Sequence, residues 1–477
     1  MNVLVVKREL AQRVGGFDNS LRRWVDHDFA IRLAAVTPPV FFPFIGCEYE
    51  HDMERSDRIT VRESSHWQWV VLAKGMLDWE AESSKERVPG RVSVVIPTYD
   101  DATMTVAAVA SVLTYGGLED VEIVVVDNGC TTRIAHKLIR EFAGRPKVTY
   151  KRLPKNYNFA IGCNVGFLAS TGEHVLFLNN DTEIRAGDLT HLVAHLSDES
   201  VAGVQPLLVY GDDTIQTAGT VWVARDTVPV HFLAGHPIED AAGIGVERFS
   251  AATAAALVVR ASDFGELRGF DPFYVNGMED VDFCLRLLRM RPGGFISDPR
   301  TVVTHYESKT PGRGKELSAN REIFMERWRG NLPAPETALF EHTGFSVAHV
   351  GTDRSKSNIL GPKPVLVRAR VAGAEPAGVV REPAGVGREP RLRWGLKNPA
   401  NAGRRGDGWG DTYFGGSLAT SLCRLGQEVV TYRHEARNST AVQFDDVSLV
   451  LRGLTRIRPV PGQINVMWII SHPEQIT

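Results

Sequence analysis

Between Val92 and Val209, short β-branched runs alternate with stretches whose apolar residues recur at helical spacing, and this restricts the fold more than any other feature. VSVVIP (92–97), VEIVVVD (121–127), KVTYKRL (147–153), EHVLFL (173–178) and VAGVQPLLV (201–209) read as strands. Segments near 103–115, 131–143, 159–170 and 186–197 read as the helices between them. Strand–helix alternation over this length predicts an α/β fold, an open, doubly wound layer built on a parallel sheet. Ligands of such sheets bind beyond the carboxyl ends of the strands. Chemistry is therefore expected at Pro97–Asp101, Asp127–Thr131 and Asn179–Glu183.

The chain also repeats part of itself. VVKRELAQRVGGFD (5–18) aligns without a gap on VVRASDFGELRGFD (258–271). After one inserted residue, DHDFAIRL (26–33) aligns on DVDFCLRL (280–287), and His51 falls opposite His305. The second copy follows a long sheet-forming region, whereas the first stands without one. The N-terminal part thus reads as the back half of a domain.

Length over a typical domain of roughly 150 residues predicts about three domains for 477 residues. The pieces expected are a partial unit at 1–85, a complete domain at 90–340, a linker at 350–390 and the opening of another α/β unit at 391–477. The linker is read from composition: ten of the thirty residues from 361 to 390 are Pro or Gly and none is aromatic. Beyond it, SLATSLCRLG (417–426) reads as a helix and EVVTY (428–432), DDVSLVLRG (445–453) and INVMWII (464–470) as strands.

A net charge of −3 supplies no global field for gathering polyanions, so nucleic acid is not an expected partner. Five cysteines, Cys47, Cys130, Cys163, Cys284 and Cys423, are scattered without a CxxC pair, which fits reduced thiols in the cytoplasm. The first residues lack the apolar core of a signal peptide, and the longest uncharged apolar run, Ala251–Val259, is half of a membrane span. The expected location is cytoplasmic, either free or peripheral at the inner face of the membrane.

Four places carry candidate chemistry. Asp127 ends a buried strand and leads into Asn128-Gly129, where its carboxylate either accepts from a nucleobase or ribose hydroxyl or caps the following turn. Asn179-Asn180-Asp181-Thr182-Glu183 follows the central strand; Asp181 offers one oxygen to a hard divalent ion bridging to a diphosphate, and the plainer alternative is a polar turn. Glu279, Asp280 and Asp282 open an amphipathic helix. Acids there complement the helix dipole, but three in four residues exceed that need, and a carboxylate so placed can take a proton from an attacking hydroxyl. Asp280 is preferred over Glu279 because the repeat keeps it as Asp26, while Val25 stands opposite Glu279. His305 follows the strand-like TVVT; it is either a packed histidine or a metal ligand, and its matched spacing in both copies favours the ligand. The basic loop KTPGRGK (309–315), with Arg313, is suited to closing over a diphosphate, and Lys309 stands where a Walker A loop needs its first glycine.

Taken together, VSVVIPTYD (92–100), VVVDNG (124–129), NYNFAIGCNVG (156–166), FLNNDTEI (177–184), GFDPFYVNGMEDVDFCLR (269–286) and THYES (304–308) resemble the family 2 glycosyltransferases of GT-A fold, in particular the rhamnosyltransferase-like branch acting on bacterial surface polysaccharides. The resemblance covers about 92–330 and implies a Rossmann-like nucleotide-diphospho-sugar transferase domain. Its implied activity is metal-dependent, inverting transfer from a nucleoside-diphosphate sugar to a hydroxyl of a glycan or lipid-linked acceptor, in cell-envelope polysaccharide synthesis. Implied for the donor are Pro97, Thr98, Tyr99, Asp127, Asn128, Asn158, Asn164, Asn180 and Arg313; for Mn²⁺ or Mg²⁺, Asp181 and His305; for the acceptor hydroxyl, Asp280 with Glu279.

The chain departs from the family pattern at Asp100, where Asn is usual after PTY, at Cys130, where DNGS would have Ser, and at Asn180, where the metal motif has its first acid. The N-terminal copy resembles the acceptor half of the same family, with Asp26 and His51 at the base and metal positions, and is expected to be inactive unless another chain supplies a nucleotide half. Residues 391–477, from the loop 410–416 to WIISHPE (468–474), resemble the start of a GT-B glycosyltransferase, so further glycosyltransferase modules are expected partners. Two other classes stay open: a catalytically weak scaffold or carbohydrate-binding pseudoenzyme, which retention of Asp181, Asp280 and His305 disfavours, and a nucleotidyltransferase, whose Gly-rich basic loop PTYDDATM lacks.

Overall fold

A computed structural model describes residues 4–42, 59–245, 247–307, 316–353, 361–368, 391–452 and 457–469. The N-terminal part is helical: α1 (Arg8–Arg13), α2 (Val25–Ala34), α3 (Ile59–Arg62), α4 (Trp67–Lys74) and α5 (Trp79–Ser83). The central domain then runs β1 (Val88–Thr98), α6 (Ala102–Tyr115), β2 (Val121–Asp127), α7 (Thr132–Phe142), β3 (Val148–Arg152), α8 (Phe159–Ala169), β4 (Gly172–Leu178), β5 (Thr182–Ala186), α9 (Thr190–Ala194) and β6 (Gly203–Val209). It continues through β7 (Ile215–Thr217), β8 (Thr220–Val221), β9 (Val230–His231), β10 (Arg248–Phe249), β11 (Ala256–Arg260), α10 (Ala261–Glu266), α11 (Glu279–Leu288), β12 (Phe295–His305) and α12 (Leu317–Arg327).

The main sheet has the order β10-β12-β6-β11-β4-β1-β2-β3, with β5 on β12 and β7 on β6. β1 pairs in parallel with β2 and β4, β2 with β3, and β6 with β12. The expected parallel sheet thus forms, with antiparallel additions: β11 lies between β4 and β6, and β5, β7 and β10 pair antiparallel with β12, β6 and β12. β-branched residues suit these strands because both faces are covered. Val95, Val124, Val126 and Phe177 face one core with α8, whereas Val94, Ile96, Val125 and Leu178 face another with α6 and α7.

The closeness of α8 to the sheet depends on Gly166. A Cβ there would stand 2.3 Å from Val95 Cγ1 and 3.0 Å from Val126 Cγ2. Alanine would gain about 1 kcal/mol of helix propensity. It would lose about 1–3 kcal/mol to overpacking against buried valines whose χ1 is stiff. Gly166→Ala is therefore expected to lower the stability of the central domain in a chemical denaturation series. A variant more stable than the parent would show that α8 can move off the sheet.

The repeat is structural as well as textual. In the second copy, Arg286 Nε donates to Asp282 Oδ2 at 2.8 Å and its two terminal nitrogens to the carbonyls of Leu267 and Gly269, each at 2.9 Å. In the first, Arg32 bonds Asp28 Oδ2 at 2.9 Å, the Gly16 carbonyl at 2.8 Å and the Val14 carbonyl. Arg327 bridges Asp271 (2.6 Å) and Asp282 (3.1 Å), just as Lys74 bridges Asp18 (2.6 Å) and Asp28 (2.8 Å). Residues preceding the acidic helices, Trp24 (φ 67°) and Met278 (φ 73°), are both left-handed. The copies differ in what covers them: Val258 is 1% exposed inside the sheet, whereas its counterpart Val5 is 92% exposed.

The span assigned to a linker, 350–390, is partly sheet. β13 (Phe345–Asp353) and β14 (Gly361–Arg368) form an antiparallel two-stranded sheet. Val365 and Val367 favour a strand, and pairing with β13 outweighs the local proline content that pointed to a linker. Residues 369–390 lie outside the described residues.

The C-terminal part contains β15 (Arg393–Lys397), α13 (Arg404–Asp407), α14 (Gly410–Arg424), β16 (Glu428–Tyr432), β17 (Val447–Arg452) and β18 (Ile464–Ile469). Its strands are all parallel, in the order β16-β15-β17-β18. Arg393 ties it to the central domain: its guanidinium, almost wholly buried, bonds Asp240 at 2.6 and 3.0 Å, Glu428 at 2.6 Å and Asp445 at 3.1 Å. Arg404 makes a second contact, lying over the Tyr115 ring at 4.0 Å and donating to the Ile184 carbonyl at 3.0 Å. No helix among the described residues is long and apolar enough to cross a membrane.

Candidate active site

Antiparallel pairing of β5 with β12 sets His305 opposite Thr182, and the Tyr306 amide donates to the Asp181 carbonyl at 3.0 Å. This brings Asp181 Oδ1 within 3.2 Å of His305 Nε2, both side chains nearly fully buried. Asn179 Nδ2 also lies 3.2 Å from His305 Nε2, and the Asn179 carbonyl accepts from Thr182 Oγ1 at 2.7 Å. The two metal candidates are thus brought together. Among the described residues no group of three or more His, Cys, Asp or Glu is placed to hold a metal ion. One carboxylate and one imidazole, with the Asn179 Oδ1 buried beside them and without a hydrogen-bond partner, fit a divalent cation.

Asp280 lies in the first turn of α11 and is partly exposed. Its Oδ2 accepts from the Ala254 amide at 3.2 Å, and the neighbouring Ala255 carbonyl accepts from the Asn179 amide at 2.9 Å. Asp280 therefore belongs to the same strand-end region as the Asp181–His305 pair. Glu279 is buried and turns back to accept from the Gly277 amide, a turn-closing role. Asp282 is fully buried: burial pushes its carboxyl up, but Arg286 and Arg327 outweigh this and hold it below the usual range. It accepts from Trp328 Nε1 at 3.0 Å and serves the scaffold.

Where the nucleotide is expected, Pro97 and Thr98 end β1 and are buried, while Tyr99 is exposed beyond them. Thr98 Oγ1 lies 2.7 Å from Thr105 Oγ1. Asn180, partly exposed, donates to these two hydroxyls at 3.4 and 3.3 Å, which an acid at that position could not do when ionised. Asp127 is fully buried: Oδ1 accepts from the Cys130 amide at 2.7 Å and Oδ2 from the Tyr150 hydroxyl. Burial, reinforced by Asp127, pushes the Cys130 thiol up to about 12, so that it stays neutral at the turn. Asp100, left-handed at φ 53°, accepts from the Thr131 amide at 2.6 Å.

The three remaining amides act as staples. Asn128 exchanges hydrogen bonds with the Tyr157 backbone, both at 3.0 Å. Asn158 caps α8 through the Ile161 amide (2.9 Å) and donates to the Pro272 and Tyr274 carbonyls at 2.7 and 3.0 Å. Asn164 exchanges bonds with the Phe270 backbone at 2.8 and 3.0 Å. Asn158 and Asn164 thus fasten α8 to the loop leading into the acidic helix. Arg313 lies outside the described residues, as does His51.

The sequence reading missed Gln216, Glu307 and His231. Gln216 Oε1 lies 2.8 Å from His305 Nδ1, and its Nε2 donates to Glu307 Oε1 at 3.1 Å. His231, on β9, lies within electrostatic reach of Asp280, Glu307 and His305. An amide set between Ile215 and Thr217 in a wholly buried strand is the signal that marks Gln216.

Strand order, the paired Asp181 and His305 at the strand ends and the acidic helix beside them define a GT-A domain. Residues 93–236 match the family described as Glycosyl transferase family 2, and the chain thus carries a domain of that family. Among curated relatives, an uncharacterized protein y4gI of Sinorhizobium fredii is 28% identical over 278 residues, covering 54% of this chain and 30% of the relative. The O-antigen biosynthesis protein RfbC of Myxococcus xanthus is 25% identical over 338 residues (64% and 25%), and a pre-mycofactocin glycosyltransferase of Mycobacterium tuberculosis is 30% identical over 201 residues (41% and 39%). The chain therefore spans well under half the length of these relatives. Among solved structures, GalNAc-T7 with UDP, GalNAc and Mn²⁺ aligns at TM-score 0.39 and 17% identity, covering 53% of each chain. The Pyrobaculum calidifontis mannosyltransferase PcManGT in complex with GDP-Man and Mn²⁺ aligns at 0.38 and 18%, covering 58% of this chain and 77% of that one.

Proposed function

We propose that the central domain transfers a sugar from a nucleoside-diphosphate donor to a hydroxyl of a glycan or lipid-linked acceptor, with inversion at the anomeric carbon and with Mn²⁺ or Mg²⁺, in the synthesis of cell-surface polysaccharide. The observation that carries this reading is the 3.2 Å approach of Asp181 Oδ1 to His305 Nε2 at the carboxyl ends of the sheet, with Asp280 opening the adjacent helix. The family match over 93–236 supports the glycosyl-transfer class, and the O-antigen name of one relative supports the polysaccharide setting.

In this reading Asp181 and His305 hold the cation, whose chemistry is to neutralise charge on the departing diphosphate. Asp280 takes the proton of the acceptor hydroxyl as that oxygen bonds to the anomeric carbon. The bond from that carbon to the diphosphate oxygen breaks on the opposite face, and the nucleoside diphosphate leaves with the electron pair. Thr98, Asn180 and the turn at Asp127 shape the floor under the nucleotide. The N-terminal copy and the parallel C-terminal sheet are read as parts of further glycosyltransferase modules, the second of GT-B type.

The test is incubation of the purified chain with UDP-, dTDP- and GDP-sugars and Mn²⁺ or Mg²⁺, following nucleotide release and donor binding. Metal-dependent release with at least one donor is expected. Neither turnover nor binding with any donor would overturn the reading.

A further inference from the structure

β5 has little of its own to hold it. Among the described residues it pairs only with β12, His305 on Thr182, Thr304 on Glu183, Val303 on Ile184 and Val302 on Ala186, with a register shift between Val303 and Val302. A shift of this kind disrupts the ladder locally. Yet β5 follows directly on Asp181 and β12 ends at His305, so the approach of those two side chains depends on this short ladder.

The outer edge of β5 is covered by the C-terminal unit. Arg404 Nη2 donates to the Ile184 carbonyl at 3.0 Å, and Nη1 donates to the Tyr115 hydroxyl at 2.7 Å. One residue further along β5, Arg185 pairs with Asp213 in the turn between β6 and β7 and reaches Asp407 at 3.4 Å. Asp213 also accepts from the Gly403 amide at 3.2 Å and lies 3.6 Å from Arg433, which bonds Asp407 at 2.6 Å. Two arginines and two aspartates, one of each from either unit, thus alternate around a closed ring of neutral net charge. Covering a strand edge in this way removes the exposed row of backbone groups that makes such an edge labile.

We propose that residues 403–407 of the C-terminal unit clamp β5, with Arg404 as a positioning residue that keeps the Asp181 and His305 ends of β5 and β12 in register. The inference rests on the reading of Asp181 and His305 as the cation pair, but the clamp itself requires no cation. The C-terminal unit then serves the central site through its docked loop, in addition to any chemistry of its own.

The experiment compares the full chain with its Arg404→Ala variant. The Arg393 cluster is untouched by this change, so Arg393–Lys397 should stay protected from hydrogen exchange. Exchange across Thr182–Ala186 should quicken, as should that of the Tyr306 amide, which bonds the Asp181 carbonyl. Mn²⁺ binding followed by electron paramagnetic resonance should weaken by about 2- to 30-fold, the span of couplings carried through packed neighbours. Exchange unchanged at both places would overturn the clamp. Quickened exchange with unchanged Mn²⁺ affinity would overturn the positioning role. If the alanine variant does not fold, Arg404→Met, which keeps the stem and removes the donors, takes its place with the same outcomes. The underlying cation reading fails separately, if His305→Ala and Asp181→Ala leave Mn²⁺ binding unaltered, and hydrogen exchange then decides the clamp by itself.

Discussion

Asp280→Asn is expected to lower kcat by about 10²- to 10⁴-fold, the usual worth of a positioned general base, while leaving donor affinity within a few-fold of the parent. The separation follows from where the residue sits. Asp280 touches the Ala254 and Val281 amides rather than the strand ends proposed to take the nucleotide, so its loss should leave those ends intact. An amide of the same shape can still accept from one of these two backbone groups, although its nitrogen cannot accept from the other, and it cannot take a proton. Its effect should therefore appear in the step where the acceptor oxygen attacks and not in donor binding. Steady-state kinetics with the active donor, together with calorimetric donor titration, separate the two. If donor affinity falls along with kcat, Asp280 belongs to the donor site and the base lies elsewhere; His231 is then the next group to examine.

The second large effect is expected at Arg393. Its guanidinium joins Asp240 of the central domain to Glu428 and Asp445 of the C-terminal sheet. Removing one partner of a buried ion pair typically costs about 3–5 kcal/mol, because the charges left behind are neither solvated nor neutralised. Arg393→Ala should therefore detach the C-terminal sheet, seen as rapid hydrogen exchange across Arg393–Lys397 and an early step in denaturation. Exchange as slow as in the parent would mean that Arg404 and the contacts of the Phe444 ring with His236 and Phe345 suffice.

The same cluster predicts a pH dependence. Burial raises the Asp445 carboxyl from 3.8 to about 7, against the pull of Arg393. The folded form then binds a proton that the unfolded chain releases, so this contribution to stability is complete below about pH 4. It is lost as pH rises toward 7, by at most on the order of 4 kcal/mol. Asp445→Asn should flatten that slope relative to the parent, and an identical slope would place the titration on another group.

Much of the central domain was legible in the sequence. Strand and helix periods located β1 to β4 and the helices between them within a few residues; β1, β2 and β4 are largely buried and carry β-branched runs, whereas β3 lies at the sheet edge and is marked only by its alternation. β5 was not legible as a strand. Its residues Thr182–Ala186 carry Glu183 and Arg185, and what makes them a strand is pairing with β12, more than a hundred residues later. The antiparallel insertion of β11 was hidden for the same reason, since register between distant strands leaves no local mark. Candidate residues divided likewise. Asp181, His305 and Asp280 were readable as acids and a histidine at strand or helix ends. The roles of Asn128, Asn158 and Asn164 depend on which backbone they meet, and Gln216 is an uncharged side chain whose importance arises only from its two neighbours.

Long-range pairing also has a consequence for how the molecule matures. Asn179 and His305 are 126 residues apart, and the strand that delivers the histidine is joined to β4 through β6 and β11. Closing such distant contacts is slow relative to local helix formation. During synthesis, the nucleotide-side turns can therefore be in place well before the histidine arrives. A chain caught at that stage would have the strand-end turns without the Asp181–His305 pair, so under the proposed cation reading Mn²⁺ affinity would probe completed folding as well as chemistry.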